Sequence, residues 1–372
     1  MADVLYCGGG VKRQSKGRRL VVKDASGDSI VLDRLNEGVL SFEEILKCMS
    51  EHRRNERVLV KACLALGKLK ESFQRVCTSS FGTFLKMMGD HLNNEELQEY
   101  ACKGLLKVSL QGCNIRALME LGAGKMLLKS MNRHLTCSKI QVYGCIILCR
   151  FVIGNESNKI AVMNLGAGKQ ILKAMKTHKH HPELQEYACE VLLSLAVSAP
   201  NRDALMKINT LQYVLSAMET HPTNELIQRN ACIVIGNLGG SPDYTEALTN
   251  LGAGQRIIQA MKAFLTSEDV QTSASIALKN LALNNSNNSI ALMRLDVGNR
   301  LIQAMDCHTK SSPLQQCAIE VLWHLVGHNC NMLSLLNLDI MSRIKNAMKN
   351  FPDNFLIQEA GQEIIYRMEL SK

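Results

Sequence analysis

Residues 165–175 read LGAGKQILKAM, and the same phrase stands at 121–131 as LGAGKMLLKSM and at 251–261 as LGAGQRIIQAM. The Gly-Lys pair at 168–169 has the outline of a phosphate-binding loop. Such a loop needs a glycine five residues before that pair and a Ser or Thr after it, so that amides and a hydroxyl surround the phosphate. Met163 and Gln170 occupy those places. The glycines therefore read as structural: Gly166 to end one short helix, Gly168 to let the next leave at a sharp angle.

The closing methionine of the phrase extends the series. Met49, Met88, Met131, Met175, Met218, Met261, Met305 and Met348 recur at intervals of 39 to 44 residues. Apolar residues three and four positions earlier, such as Ile171 and Leu172 before Met175, share a helix face with each of them. Glutamine keeps the same period: Gln98, Gln141, Gln185, Gln228, Gln271, Gln315 and Gln358 lie 43 or 44 apart, each behind Leu, Ile or Val. The words around them, such as LQEYACKGLL and IQRNACIVIG, carry a small residue where helices must approach closely. Cys102, Cys145, Cys189 and Cys232 stand there, with Cys63 at the equivalent place in the first copy, and read as small buried residues. Asn114, Asn158, Asn201, Asn288 and Asn331 each precede the opening Leu or Ile of the phrase by seven residues. Each is expected to cap a short first helix. One unit is then a short helix, a glycine turn, a second helix, a loop and a longer third helix. His181-Pro182, His221-Pro222 and Ser312-Pro313 mark where the third begins, since proline suits a first turn.

Three helices in about 42 residues, with this glycine turn and third-helix glutamine, resemble the armadillo repeat. The resemblance covers about residues 39–370, or about eight repeats. It implies an all-α, right-handed superhelix (an α-solenoid) whose third helices line a concave groove. The expected division is a non-repeating segment over 1–38 and one armadillo domain over 39–372. Repeats bury their apolar faces only against neighbours, so the array should behave as one unit.

Composition agrees. Hydrophobic residues are 46% of the 372 but aromatic residues only 4%, the balance of helices packed through Leu, Ile, Ala and Met, and six prolines argue against disorder. No secretory segment follows Met1 and no apolar run nears the roughly 20 residues of a membrane span, so no membrane partner is expected. Fourteen cysteines without a CxxC pair exclude a zinc ribbon and suggest a reducing compartment. The expected location is cytoplasmic, with cytoskeletal or ciliary sites next and the nucleus last. His178, His180 and His181 lack a fourth ligand of regular spacing, so no metal is expected on them. Cys145 and Cys149, one helical turn apart, read as core. With no nucleophile–base pair and no phosphate cradle, the expectation is no enzymatic activity, no cofactor and no small-molecule substrate.

The segment CGGGVKRQSKGRR sets Lys12, Arg13, Lys16, Arg18 and Arg19 within eight residues. It reads as a solvated basic tail, an anchor for an acidic surface or a nuclear-import signal. LVVKDASGDSIVL at 20–32 reads as a β-hairpin, two β-branched runs around a Ser-Gly turn.

The armadillo resemblance also points to a line of residues. Nine positions after its Gln, each third helix has a place where the importins of the family carry an Asn that holds the backbone of a bound peptide. With the equivalent place in the first repeat, those residues are Lys68, Lys107, Arg150, Ser194, Asn237, Asn280, His324 and Arg367. Only Asn237 and Asn280 match the importin residue. The tryptophan that importins carry four positions earlier is replaced by Ile233 and Ile276, which speaks against a lysine-rich nuclear peptide and a transport adaptor. Lys68, Lys107 and Arg150 would instead form a basic stripe, at the roughly 10 Å spacing of packed helices. That is closer to the catenin-like branch, whose grooves take acidic extended peptides. The expected function is a protein-interaction scaffold with an acidic partner, consistent with a net charge of +9. The alternative is a structural part of a microtubule-based assembly, with the tail and stripe facing acidic tubulin. Nucleic acid is disfavoured, because no aromatic residues interleave with the basic positions.

Overall fold

The computed structural model describes residues 27–38, 40–69, 78–283 and 285–370. Among them are 23 α-helices, numbered α1 to α23 along the chain, and no strand. The repeat at 155–196 shows how local sequence sets the pattern. Asn155 caps α9 (Glu156–Asn164), its Oδ1 accepting from the Asn158 amide at 2.9 Å. Gly166 stops that helix at φ 91° and the chain turns into α10 (Ala167–Thr177). After a short loop, Pro182 opens α11 (Pro182–Ala196), and Nδ1 of His181 caps it by accepting from the Leu184 amide at 3.3 Å.

The left-handed turn is what selects glycine. Where other repeats lack it, Asn209, Asp296 and Asp339 take the same conformation at φ 58°, 69° and 48°, and Asn and Asp are the side chains that best tolerate it. A Cβ at Gly166 would meet nothing within 4 Å, so a substitution there costs backbone energy alone. Gly166→Ala should lower stability by about 1 kcal/mol and Gly166→Asn by clearly less. Chemical denaturation of the two variants checks this; an equal loss in both would show that the turn conformation is not what requires glycine.

Gly168 does a different job from the one expected. It lies inside α10, and a Cβ there would come within 3.0 Å of Ile208 Cδ1. Gly254 stands in the same way 3.1 Å from Leu295, and Gly298 2.8 Å from Leu338. The sharp turn belongs to Gly166. The second glycine instead gives the next repeat room to seat its opening apolar residue.

The asparagine series is also corrected. Asn158 and its counterparts sit inside the first helices and donate backward rather than capping. Asn114 reaches the Val108 carbonyl at 3.1 Å, Asn158 that of Phe151 at 2.8 Å, Asn288 that of Leu281 at 3.0 Å and Asn331 that of Leu325 at 3.1 Å. They clip each first helix to the end of the preceding third helix, whose last carbonyls have no helical donor. Asn201 reaches Lys159 instead, at 3.2 Å. Of the three proline marks, Pro182 and Pro313 lie in first turns. Pro222 precedes α14 (Glu225–Leu238), which Asn224 caps.

The glutamine and methionine anchors meet in one interaction. Gln185 Nε2 donates to the Met175 carbonyl at 2.9 Å and to the His178 carbonyl at 3.0 Å, tying the end of α10 to α11. All seven glutamines make the same pair of bonds. The methionine side chains are buried in every copy except Met348, which is partly buried.

The third helices are α3 (Glu56–Lys68), α5 (Glu95–Ser109), α8 (Ser138–Val152), α11, α14, α17 (Glu268–Ala282), α20 (Ser312–Val326) and α23 (Phe355–Leu370). Each packs on the next, and these are the most extensive helix contacts among the described residues. Small residues make the approach close: a Cβ at Gly236 would stand 3.3 Å from the Ala277 backbone. Cys63, Cys102, Cys145, Cys189 and Cys232 are fully buried in this stack. Burial pushes the thiols of Cys102, Cys145, Cys189 and Cys232 up to about 12, which leaves them protonated and unreactive at neutral pH. The chain is an all-α armadillo-repeat solenoid.

The hairpin expected over 20–32 is not what its second half forms. Residues Gly27–Glu37 make α1, which packs on α3 and places Val31 and Leu35 in the core. A short β-branched run cannot by itself distinguish strand from helix. Here the i, i+4 pair Val31 and Leu35 finds an apolar surface, and Gly38 at φ 67° supplies a helix-ending turn. Residues 20–26 lie outside the described residues.

Candidate partner-binding face

Register along the third-helix stack is held by loops as well as by the core. Between the second and third helices, Nε2 of His134, His178, His221 and His308 donates to a carbonyl of the preceding repeat: Leu92 at 2.8 Å, Leu135 at 2.7 Å, Lys179 at 2.9 Å and Leu265 at 2.8 Å. His91 does the same to Arg53 at 2.7 Å. His178 and His181, part of the cluster considered as metal ligands, thus serve as a repeat tie and a helix cap.

All eight expected groove residues fall in the last turn of a third helix. The structure divides them into three groups. Lys68 is exposed, Lys107 and Arg150 are half-buried, and none of the three makes an ion pair among the described residues. Each stands at a helix C-terminus, where the helix dipole already favours a cation. Ser194, Asn237 and Asn280 are half-buried and neutral. Asn237 donates to the Leu193 carbonyl at 3.0 Å and Asn280 to the Gly236 carbonyl at 2.8 Å. Each amide thus fastens its helix to the preceding one and keeps one N–H and its oxygen for other partners. In the last group, His324 lies against Trp323 with ring centroids 5.0 Å apart. Burial holds its imidazole below the ordinary pKa and favours the neutral form. Arg367 pairs with Glu363 at 2.6 Å. The anchor residues Lys12, Arg13, Lys16, Arg18 and Arg19 lie outside the described residues.

Three features of this face were not read from sequence. Three residues beyond Lys107, Arg150 and Ser194 stand Leu110, Ile153 and Val197, all exposed; their spacing of 43 and 44 was the available signal. On α11, Glu183, Glu186 and Glu190 gather, and burial together with the charges of Glu190 and Glu183 raises the Glu186 pKa. The run of cations at the equivalent third-helix position therefore ends with Arg150 on α8, and carboxylates follow on α11. Between α17, α20 and α23 opens a cleft of about 1100 Å³, lined by Trp323, Tyr366 and Phe355 among others.

The family model for the LRRK2 ARM repeat matches residues 84–288. The chain belongs to that family. No curated protein sequence matches it significantly, but solved ARM-repeat structures do. One is a chain from a structure of the phosphorylation switch that controls the interaction between cadherin and beta-catenin. It has a TM-score of 0.77 and 16% identity, over 93% of this chain and 67% of that one. A designed armadillo repeat protein in complex with the peptide (KR)4 gives a TM-score of 0.56 at 17% identity, over 66% of this chain and 99% of that one. An engineered protein gives 0.64 at 13% identity, over 94% of this chain and 96% of that one. These likenesses concern the fold. ARM repeats of this kind commonly mediate protein–protein interaction.

Proposed function

We propose that the protein is a non-enzymatic interaction scaffold whose third-helix face takes an extended, acidic partner segment at its N-terminal end. The observation that carries this reading is the run of three cations, Lys68, Lys107 and Arg150, on successive stacked helices, with no carboxylate partner among the described residues. Uncompensated charge at this density favours an anion and steers its approach. Geometry narrows the ligand. Packed helices lie about 10 Å apart, and a polyproline-II chain advances about 9 Å per three-residue turn, returning every third side chain to one face. Acidic residues three apart would meet successive cations, and apolar residues between them would meet Leu110 and Ile153. The cadherin–beta-catenin neighbour and the peptide-bound designed protein give precedent for protein and peptide ligands on this fold.

The test is a fluorescently labelled peptide with Glu at every third position and Leu between. Replacing Lys107 and Arg150 together by Glu should weaken its binding by roughly 1 to 3 kcal/mol, the range for reversed charge pairs near a partly desolvated surface. Helix content should not change, because both residues stand in the last turn of a helix and are only half-buried. Unaltered affinity in the double variant overturns the basic-face reading.

A further inference from the structure

At the opposite end the face changes character, and we infer that the cleft between α17, α20 and α23 is a second docking site, one that holds a cationic side chain of an extended partner segment. The inference rests on the third-helix face being a peptide-binding surface, but not on the cation stripe. On α23, Phe355, Glu359, Glu363 and Tyr366 follow one another at spacings of four, four and three, so they share a helix face. They look across the cleft at Glu320 and Trp323 of α20. Trp323 is 38% exposed, Tyr366 61% and Phe355 70%, although aromatic side chains are scarce in this chain.

Aromatic rings with open faces set among carboxylates attract a cation in two ways at once. The ring quadrupole draws the charge to its face, and the carboxylates supply the opposite charge. The balance of charge is negative. Lys279 offsets Glu320 at 2.8 Å and Arg367, from outside the cleft lining, offsets Glu363, while Glu359 has neither hydrogen bond nor ion pair among the described residues. His324 adds no compensating charge, because burial favours its neutral form. An anionic or purely apolar occupant would leave Glu359 facing a like charge or no charge. An arginine or lysine side chain, whose stem is apolar and whose head is charged, matches both parts of the lining. Against the cations of α3, α5 and α8, which have no ion-pair partner among the described residues, this gives a face of opposite polarity at its two ends.

The chain carries its own reporter, since Trp323 is the only tryptophan. Titration of the full chain with a peptide of alternating Arg and Ala, followed by tryptophan fluorescence, should give a saturable change. The Glu–Ala counterpart should give none. In the double variant Glu359→Gln, Glu363→Gln, which keeps side-chain size and hydrogen-bonding capacity, the midpoint should rise about tenfold, as two partly exposed ion pairs would predict. The Lys107/Arg150 double variant should titrate like the parent chain, so this site and the basic stripe can fail separately. The proposal is overturned by an equal response to both peptides, by no response to the Arg peptide, or by an unshifted midpoint in the Gln variant. A signal that depends on protein concentration without peptide also overturns it, because the occupant would then be a second copy.

Discussion

Met175→Asp should lower the stability of the folded array by about 3 to 5 kcal/mol, among the largest losses a single substitution produces here. Met175 sits at the end of α10 with its side chain in the shared core. Neighbouring apolar positions on that helix face, Ile171 and Leu172, are buried with it. A carboxylate there would have neither water nor a cation, and an uncompensated buried charge costs several kcal/mol even after the surroundings relax. Neutralising it by protonation shifts the cost to proton uptake rather than removing it. Because repeats are stabilised by their neighbours, the damage should spread beyond one repeat. The unfolding midpoint in urea is the measurement. A change within about 0.5 kcal/mol, as at an ordinary surface position, would place Met175 outside the core.

The same residues show what could be read from sequence. Repetition makes architecture legible: eight methionines and seven glutamines at one period fix where helices begin and which faces turn inward, because each copy votes on the same geometry. Function within a copy is less legible. Asn158 and Asn155 both suit a helix start, and the period alone cannot say which caps and which clips. Gly168 recurs as faithfully as Gly166, yet one answers to φ and the other to a neighbour's side chain 40 residues later. The candidate face is harder still. Lys107 and Arg367 are equivalent by position, but the second is paired with Glu363, one turn earlier on its own helix. The aromatic cleft arises where α20 and α23 part from the pattern at Trp323 and Tyr366, so a reading built on what repeats passes over it. Likewise α1 was missed because it stands before the first full match to the pattern.

Gln185→Leu should cost about 2 to 3 kcal/mol although it adds apolar surface to a buried site. The side chain is buried in the α10–α11 junction, and its amide donates to two carbonyls. Those acceptors are not equal. The His178 carbonyl also receives the His181 amide at 3.0 Å, whereas Met175 stands in the last turn of α10, where carbonyls lack a helical donor. Leucine has nearly the right shape but no donor, so the Met175 oxygen is stranded away from water, at about 1 to 3 kcal/mol; loss of the second bond adds to this. Gln185→Glu should be worse at neutral pH, because a carboxylate would face two carbonyl oxygens. Its carboxyl would favour the protonated form, which can restore one donor, so its folded-state pKa should rise above the unfolded value. The folded variant then binds more protons than the unfolded chain, and relative to the parent its stability should increase as pH falls through that raised pKa. Denaturation of both variants and the parent at pH 7 and pH 5 separates the possibilities. A Leu variant as stable as the parent would mean that the repeated glutamine is not needed to close the helix end. A Glu variant that fails to gain on acidification would mean that its carboxyl reaches water instead of the two carbonyls.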